Sequence, residues 1–532
     1  MARGRVTNKC VRTCGLLRGS KRLRRGKSRF LTSKATTKTG YERLFGSFAA
    51  HLSHTCRIKR FFGNIGLAVL LNLLVKPGWV VLENVVQDRI GHAAFGTFAA
   101  LLNFTLVLAS VSDLGLTQHT TKRVAAEPGF LPEYFPTVLP LRGALGVAFL
   151  GVMVGGGWLM GYRGHTLLLL AAIGVGLLLT QYAQFLRGAV QAHQHFNTDA
   201  WLSVLEKLLL FGLVLALLPI GISLENYVGA RTVAAAFTFV LLYVLVTRLF
   251  GKLAWRPRRR QAAEMLRGSL PFALITLLYG MNERIDMLMV ERLSSAQEAG
   301  YYAGAYRWVD AVMMYLWTVL PLFFAKFAHS LGSRDEQKQL LWFGQRVAAV
   351  PLLFVCAFVL FRGELLFFQF QNSSFEEVQR MTWCAKLLFL NVLVHAFFAI
   401  YSTLLTSTNF ERPVSWLVAG SIGLNIGLNF VLLPRYGAVA GALNTLICAV
   451  AVSAGYLWLV QYRANIAVPW SLLGRLLAVF AGLCAGWYAL QTWAALPWLA
   501  ESVVAGLMFV ALLFAAGVVR VAELRGLLKP RG

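Results

Sequence analysis

Seven ionisable residues interrupt otherwise apolar sequence: Lys76, Glu283, Arg284, Asp286, Arg307, Asp310 and Lys386. A charge near the centre of a bilayer costs roughly 2.5–3.5 kcal/mol on insertion scales, so such groups face protein or a water-filled cavity. The four cations, Lys76, Arg284, Arg307 and Lys386, are suited to holding a phosphate or pyrophosphate in a low-dielectric space. The three carboxylates, Glu283, Asp286 and Asp310, are candidates for coupling transport to a proton or sodium ion. Tyr279, Glu283 and Asp286 share one helical face at i, i+4 and i+7 spacing. Two antiparallel neighbours here would allow Arg284–Asp310 or Asp286–Arg307 pairs, and a structural ion pair is the competing reading of each.

Other polar residues carry plainer readings. His395 and Asn391 sit deeper on the segment that begins with Lys386, and His395 reads as a packing residue. Asp113 and the adjacent Glu206 and Lys207 read as interfacial anchors. Cys10 and Cys14 lack further ligands at metal spacing, and His193 and His195 lack a third, so no metal site is expected. GxSxG, HExxH and zinc-ligand patterns are absent, and Gly19, Gly26, Lys27 and Ser28 miss the spacing of a phosphate-binding loop. No cofactor and no enzymatic activity are expected.

The elements that position these residues are membrane spans. The chain has 532 residues, 57% hydrophobic and 14% charged, with mean hydropathy +0.62, against about a quarter charged in soluble proteins. Fourteen apolar runs between residues 62 and 519 are each long enough, at about 20 residues, to cross the bilayer as a helix. Span one is expected at 62–82 with a kink at Lys76-Pro77-Gly78, and span seven at 268–290.

The formal charge of +28 would suggest a nucleic-acid binder were it clustered on a soluble domain, but residues 1–60 alone hold 17 Lys and Arg against Glu42. That leader lacks apolar periodicity and reads as a disordered cytoplasmic segment or a misassigned start, and nucleic acid is not an expected partner. With the amino terminus cytoplasmic, the inside loops and tail hold 21 basic residues and the outside loops six, so both termini are expected inside.

An internal repeat divides the spans. Trp201-Leu202 and Leu217-Leu218-Pro219 recur as Trp416-Leu417 and Leu432-Leu433-Pro434 at an offset of 215 residues. Phe95-Gly96 recurs as Ala299-Gly300 at an offset of 204. Both are jumps of six spans, which predicts parallel repeats. The expected organisation is an all-α polytopic membrane protein: a basic leader (1–60), an N-terminal six-helix bundle (61–250), a basic linker (251–267), a C-terminal six-helix bundle (268–462), and two added helices with a tail (463–532).

The chain resembles the polysaccharide transporter family of lipid-linked oligosaccharide (O-antigen) flippases, in the superfamily that also contains multidrug and lipid II exporters. The resemblance is carried by Phe95-Gly96, by Ser112-Asp113-Leu114-Gly115-Leu116 with Arg123, by Ile285-Asp286, by Gly300 to Arg307, and by Leu424 to Thr445 around Pro434. It implies two six-helix bundles facing each other across a cavity that opens alternately to either side. It also implies an undecaprenyl-pyrophosphate-linked glycan as cargo, the bacterial plasma membrane as location, and membrane lipids, a polysaccharide polymerase and chain-length proteins as partners. A cation-coupled drug exporter of the same architecture is the nearest alternative, and a membrane glycosyltransferase, polymerase or ligase is the alternative from another class.

Overall fold

The computed structural model describes residues 77–114, 116, 130–192, 196–250, 258–330, 333–408, 410–494 and 496–519. The leader, Lys76, Gly115 and Arg123 lie outside the described residues, and so does the side chain of Glu283. Every described element is helical. In a bilayer the backbone has no water to bond, and a helix satisfies it within a single segment.

In chain order the helices are α1 (residues 77–90), α2 (His92–Asp113), α3 (Phe130–Leu159), α4 (Gly164–Ala192), α5 (Phe196–Leu217) and α6 (Leu224–Phe250). There follow α7 (Arg259–Leu293), α8 (Ala296–His329), α9 (Arg334–Arg362), α10 (Phe375–Ser407) and α11 (Glu411–Trp458), then the added α12 (Trp470–Ala489) and α13 (Trp498–Ala515). Helix α11 is two spans run together across Gly437, whose φ of 58° breaks the helix in the left-handed region. Among the described residues, ten helices are long and apolar enough to cross a membrane, the fused pair counting once. The helices α1, α5 and α7 fill the remaining places in the expected set.

Local sequence fixes the boundaries. Ser295, Ser333 and Ser374 begin α8, α9 and α10, each accepting a hydrogen bond from the backbone N–H three residues on, and Ser374 completes a capping box with Glu377. The repeat also shows at helix ends. Pro219 precedes Gly221 at φ +99°, as Pro434 precedes Gly437.

The expected end of span one is wrong by about one third of its length. Helix α1 runs on to Ile90, eight residues past the predicted end at 82. Glu83, Asn84, Gln87 and Asp88 read as a loop by polarity, yet Glu83, Asn84 and Gln87 are buried because they bond to other segments. Pro77 and Gly78 are helical from the first described residue, and the kink predicted at Lys76 falls outside the described residues.

Within the first bundle α2 packs on α3 and α4, and α6 on α4 and α5; within the second, α10 packs on α8, α9 and α11. The bundles meet where α2 lies against α7 and α8. Helices α12 and α13 pack on each other and on α9. Trp487 and Arg362 both bond the carboxylate of Glu501, which is 1% exposed, tying α12 and α13 to α9.

Candidate functional site between the bundles

Gly96 on α2 and Gly300 on α8 are the repeat-related glycines, and they face each other. A Cβ on Gly96 would stand 2.6 Å from the Gly300 nitrogen, and one on Gly300 would stand 2.8 Å from the His92 carbonyl carbon. Both distances are below any real Cβ contact, so only glycine permits this backbone approach. Close packing of small residues is how membrane helices associate where lipid removes the hydrophobic driving force.

Polar bonds surround this contact at the end of the bundles that the sequence assigns to the outside. Gln87 of α1 donates to the Gly300 carbonyl at 2.8 Å, and Arg307 of α8 donates to Gln87. Arg307 also lies 4.0 Å from Glu83 and stacks over Phe95 at 4.4 Å. The Asn372 side chain donates to Asp88 at 2.7 Å, His92 bonds Ser373 at 2.9 Å, and Asn84 donates to Gln369 at 3.4 Å. Tyr162, in the loop between α3 and α4, donates to Glu291 at 3.0 Å while Arg292 lies over its ring. Burial and the Glu291 carboxylate push the Tyr162 phenol up, so it stays a donor at ordinary pH. Every one of these contacts joins the first bundle to the second.

The described residues expected to share a site have different partners. Arg284 pairs with Asp310 at 3.3 Å, one of the two predicted alternatives, and both side chains keep some exposure, 24% and 35%. Arg307 is committed to the contact with α1. Lys386 lies over Trp383 at 5.3 Å, on α10. Lys76 lies outside the described residues. Asp113 is ion-paired to Arg142 of α3, a partner the sequence reading did not name, and the Arg142 guanidinium stacks on Phe185 at 4.4 Å.

The predicted Asp286–Arg307 pair does not form. Asp286, 5% exposed, turns into the second bundle, where Asn429 donates to one carboxylate oxygen and Thr445 to the other, each at 2.8 Å. Asn429 also donates to Asn425 at 2.8 Å and accepts from Asn444 at 2.7 Å. The Asn444 Oδ1 is buried with no partner. Among the described residues no cation pairs with Asp286. A carboxylate buried with neutral donors alone keeps its charge at high cost, so a proton or a cation relieves it.

Glu206 and Lys207 do not open α5 as expected. They stand near the middle of α5 and, with Trp79, Thr180, Arg231 and Thr232, line a cavity of about 180 Å³ inside the first bundle. Thr180 donates to Glu206 at 2.9 Å, and Arg231 is engaged by Glu83 at 3.0 Å and Tyr227 at 3.1 Å. Among the described residues Lys207 makes no ion pair. Neighbours on a helix point about 100° apart, so the two charges do not meet each other.

Two bundles of a shared design, joined at one end, with long apolar helices, define a multi-pass membrane fold. Residues 63–323 match the family model described as polysaccharide biosynthesis protein. The structure is similar to that of a lipid II flippase MurJ in an inward closed conformation, with TM-score 0.70 and 11% identity, covering 85% of this chain and 100% of that one. It is also similar to a multidrug resistance MATE family transporter in inward-facing form, with TM-score 0.61 and 15% identity over 76% of this chain and 98% of that one. The outward-facing MATE form gives TM-score 0.51 at 14% identity, over 76% and 96%. Comparison with curated protein sequences finds no match. Residues 63–323 thus match the polysaccharide biosynthesis family model, and the fold is the one these MurJ and MATE structures share.

Proposed function

We propose that this protein flips an undecaprenyl-pyrophosphate-linked oligosaccharide, or a similar lipid-linked sugar, across the bacterial plasma membrane for cell-surface polysaccharide synthesis. Both termini are cytoplasmic on the count of basic residues. The observation that carries the reading is the interface between two repeat-related bundles, joined at one end by the Gly96–Gly300 contact and its polar bonds, in a chain that matches a polysaccharide biosynthesis family. Such bonds are exchangeable: each is lost when the bundles rock apart and is replaced by water. The similarity in fold to a lipid II flippase supports a lipid-linked cargo.

In this reading the protein is a transporter, not an enzyme. Arg284 beside Asp310 offers a guanidinium to the pyrophosphate as the bundles open, and Lys386 adds charge. Lys207 in the first bundle offers an ammonium to acidic groups of the cargo that reach its cavity. Asp286 couples the cycle to an ion gradient. The oxygens of Asp286, Asn425, Asn444 and Thr445 suit a small monovalent cation, and Asp286 alone suits a proton. A bound cation would neutralise Asp286 and draw these oxygens together. A polymerase and chain-length proteins would take the cargo on the far side.

The test is transfer of a fluorescent undecaprenyl-pyrophosphate glycan across vesicles holding the purified protein. Export of organic cations with no glycolipid transfer would favour the drug-exporter reading instead.

A further inference from the structure

A second cavity, of about 260 Å³, lies away from the bundle interface, where α12 begins, α13 ends and both rest on α9. Trp342, Arg346, Ser471 and Arg475 line it, with Gly517 and Val518. Its described lining holds two guanidiniums, an indole N–H and a hydroxyl, and no carboxylate. Arg346 donates to the Val518 carbonyl at 3.4 Å. The Trp342 Nε1–H is buried with no acceptor, and Arg475 is exposed with no carboxylate partner among the described residues. Ser471 and Leu472 belong to the first turn of α12, where the helix presents its positive end.

We propose that this cavity binds a phosphate group presented by an anionic membrane lipid. Basic pockets between membrane helices recognise lipid phosphates in this way, and an arginine fork fits two phosphate oxygens. The position supplies a purpose. The Arg362–Glu501–Trp487 cluster ties α12 and α13 to α9 at one end, and a phosphate bridging Arg346 on α9 to Arg475 on α12 ties them at the other. Only the choice of leaflet, the cytoplasmic one, rests on the orientation proposed above. The site itself does not depend on what the protein transports.

The experiment is lipid retention by the full-length protein in detergent, measured by native mass spectrometry with phosphatidylglycerol, phosphatidylcholine or inorganic phosphate added. The expected result is preferential retention of phosphatidylglycerol over phosphatidylcholine. Arg475→Gln weakens that retention roughly five-fold, as loss of one arginine from an anionic surface does. Trp342→Phe, which keeps the ring and deletes the N–H, reduces the same preference. Arg334→Gln, an exposed arginine outside the cavity, leaves it unchanged. Competition by millimolar inorganic phosphate alone, with no lipid preference, would overturn the lipid as the source. Equal retention of both lipids with no effect of phosphate, or equal loss in Arg475→Gln and Arg334→Gln, would overturn the site. Because no transport is measured, failure here leaves the flippase reading to its own assay.

Discussion

Gly96 and Gly300, separated by the 204-residue offset of the internal repeat, pack backbone against backbone where the two bundles meet. The repeat is therefore more than a resemblance between segments. Equivalent residues are each other's partners, as a pseudo-two-fold axis passing between them requires.

Alanine at Gly300 places a methyl group inside the His92 backbone. Overpacking of this kind costs about 1–3 kcal/mol, and separation of the bundles relieves it. We predict that Gly300→Ala lowers the disulfide yield between cysteines placed at Asp88 and Asn372, whose side chains bond in the parent. An unchanged yield would mean that the contact does not hold this end shut.

Arg307 contributes to the same contact through Gln87, Glu83 and Phe95. Arg307→Gln leaves Glu83 with Arg231 and Tyr227 but removes the charge that spans the bundles. The variant is expected to show the same fall in cross-linking while its helical content stays at the parent level by circular dichroism.

Asp286→Asn keeps the shape of the buried network and removes its charge. Glycolipid transfer is predicted to lose its dependence on an imposed proton or sodium gradient, while protein yield and melting temperature hold or rise. A variant that still responds to the gradient would place coupling elsewhere.

Glu501 is buried between Arg362 and Trp487. Glu501→Leu strands the indole N–H and leaves Arg362 with Glu364 alone, and losing a hydrogen-bond partner so that a buried group is left unpaired costs about 1–3 kcal/mol. Thermal unfolding should shift downward without any change in the Asp88–Asn372 cross-link, because α12 and α13 lie outside the bundle interface.

The helices, their number and the Gly96–Gly300 repeat were legible because apolar length and spacing are local properties. The Arg284–Asp310 pair was legible as well, since consecutive antiparallel helices α7 and α8 leave few alternatives. What the sequence did not reveal depends on third partners. Polarity made Glu83, Asn84, Gln87 and Asp88 look like loop, since nothing local says that Arg307, Gln369 and Asn372 wait across the interface. Asp286 was matched to Arg307 on the next helix, whereas burial turned it toward Asn429 and Thr445, more than 140 residues away in the chain. Glu206 and Lys207 were read as interfacial anchors because their cavity neighbours lie on other helices. Helical position assigns a residue to a face, and only packing decides what that face meets.

The most direct measurement is transbilayer transfer of a pyrophosphate-linked glycolipid in vesicles holding the purified protein, parent beside Arg284→Ala. The account predicts transfer by the parent and a rate at least several-fold lower in the variant at equal reconstitution. Equal transfer by parent, variant and empty vesicles would contradict it.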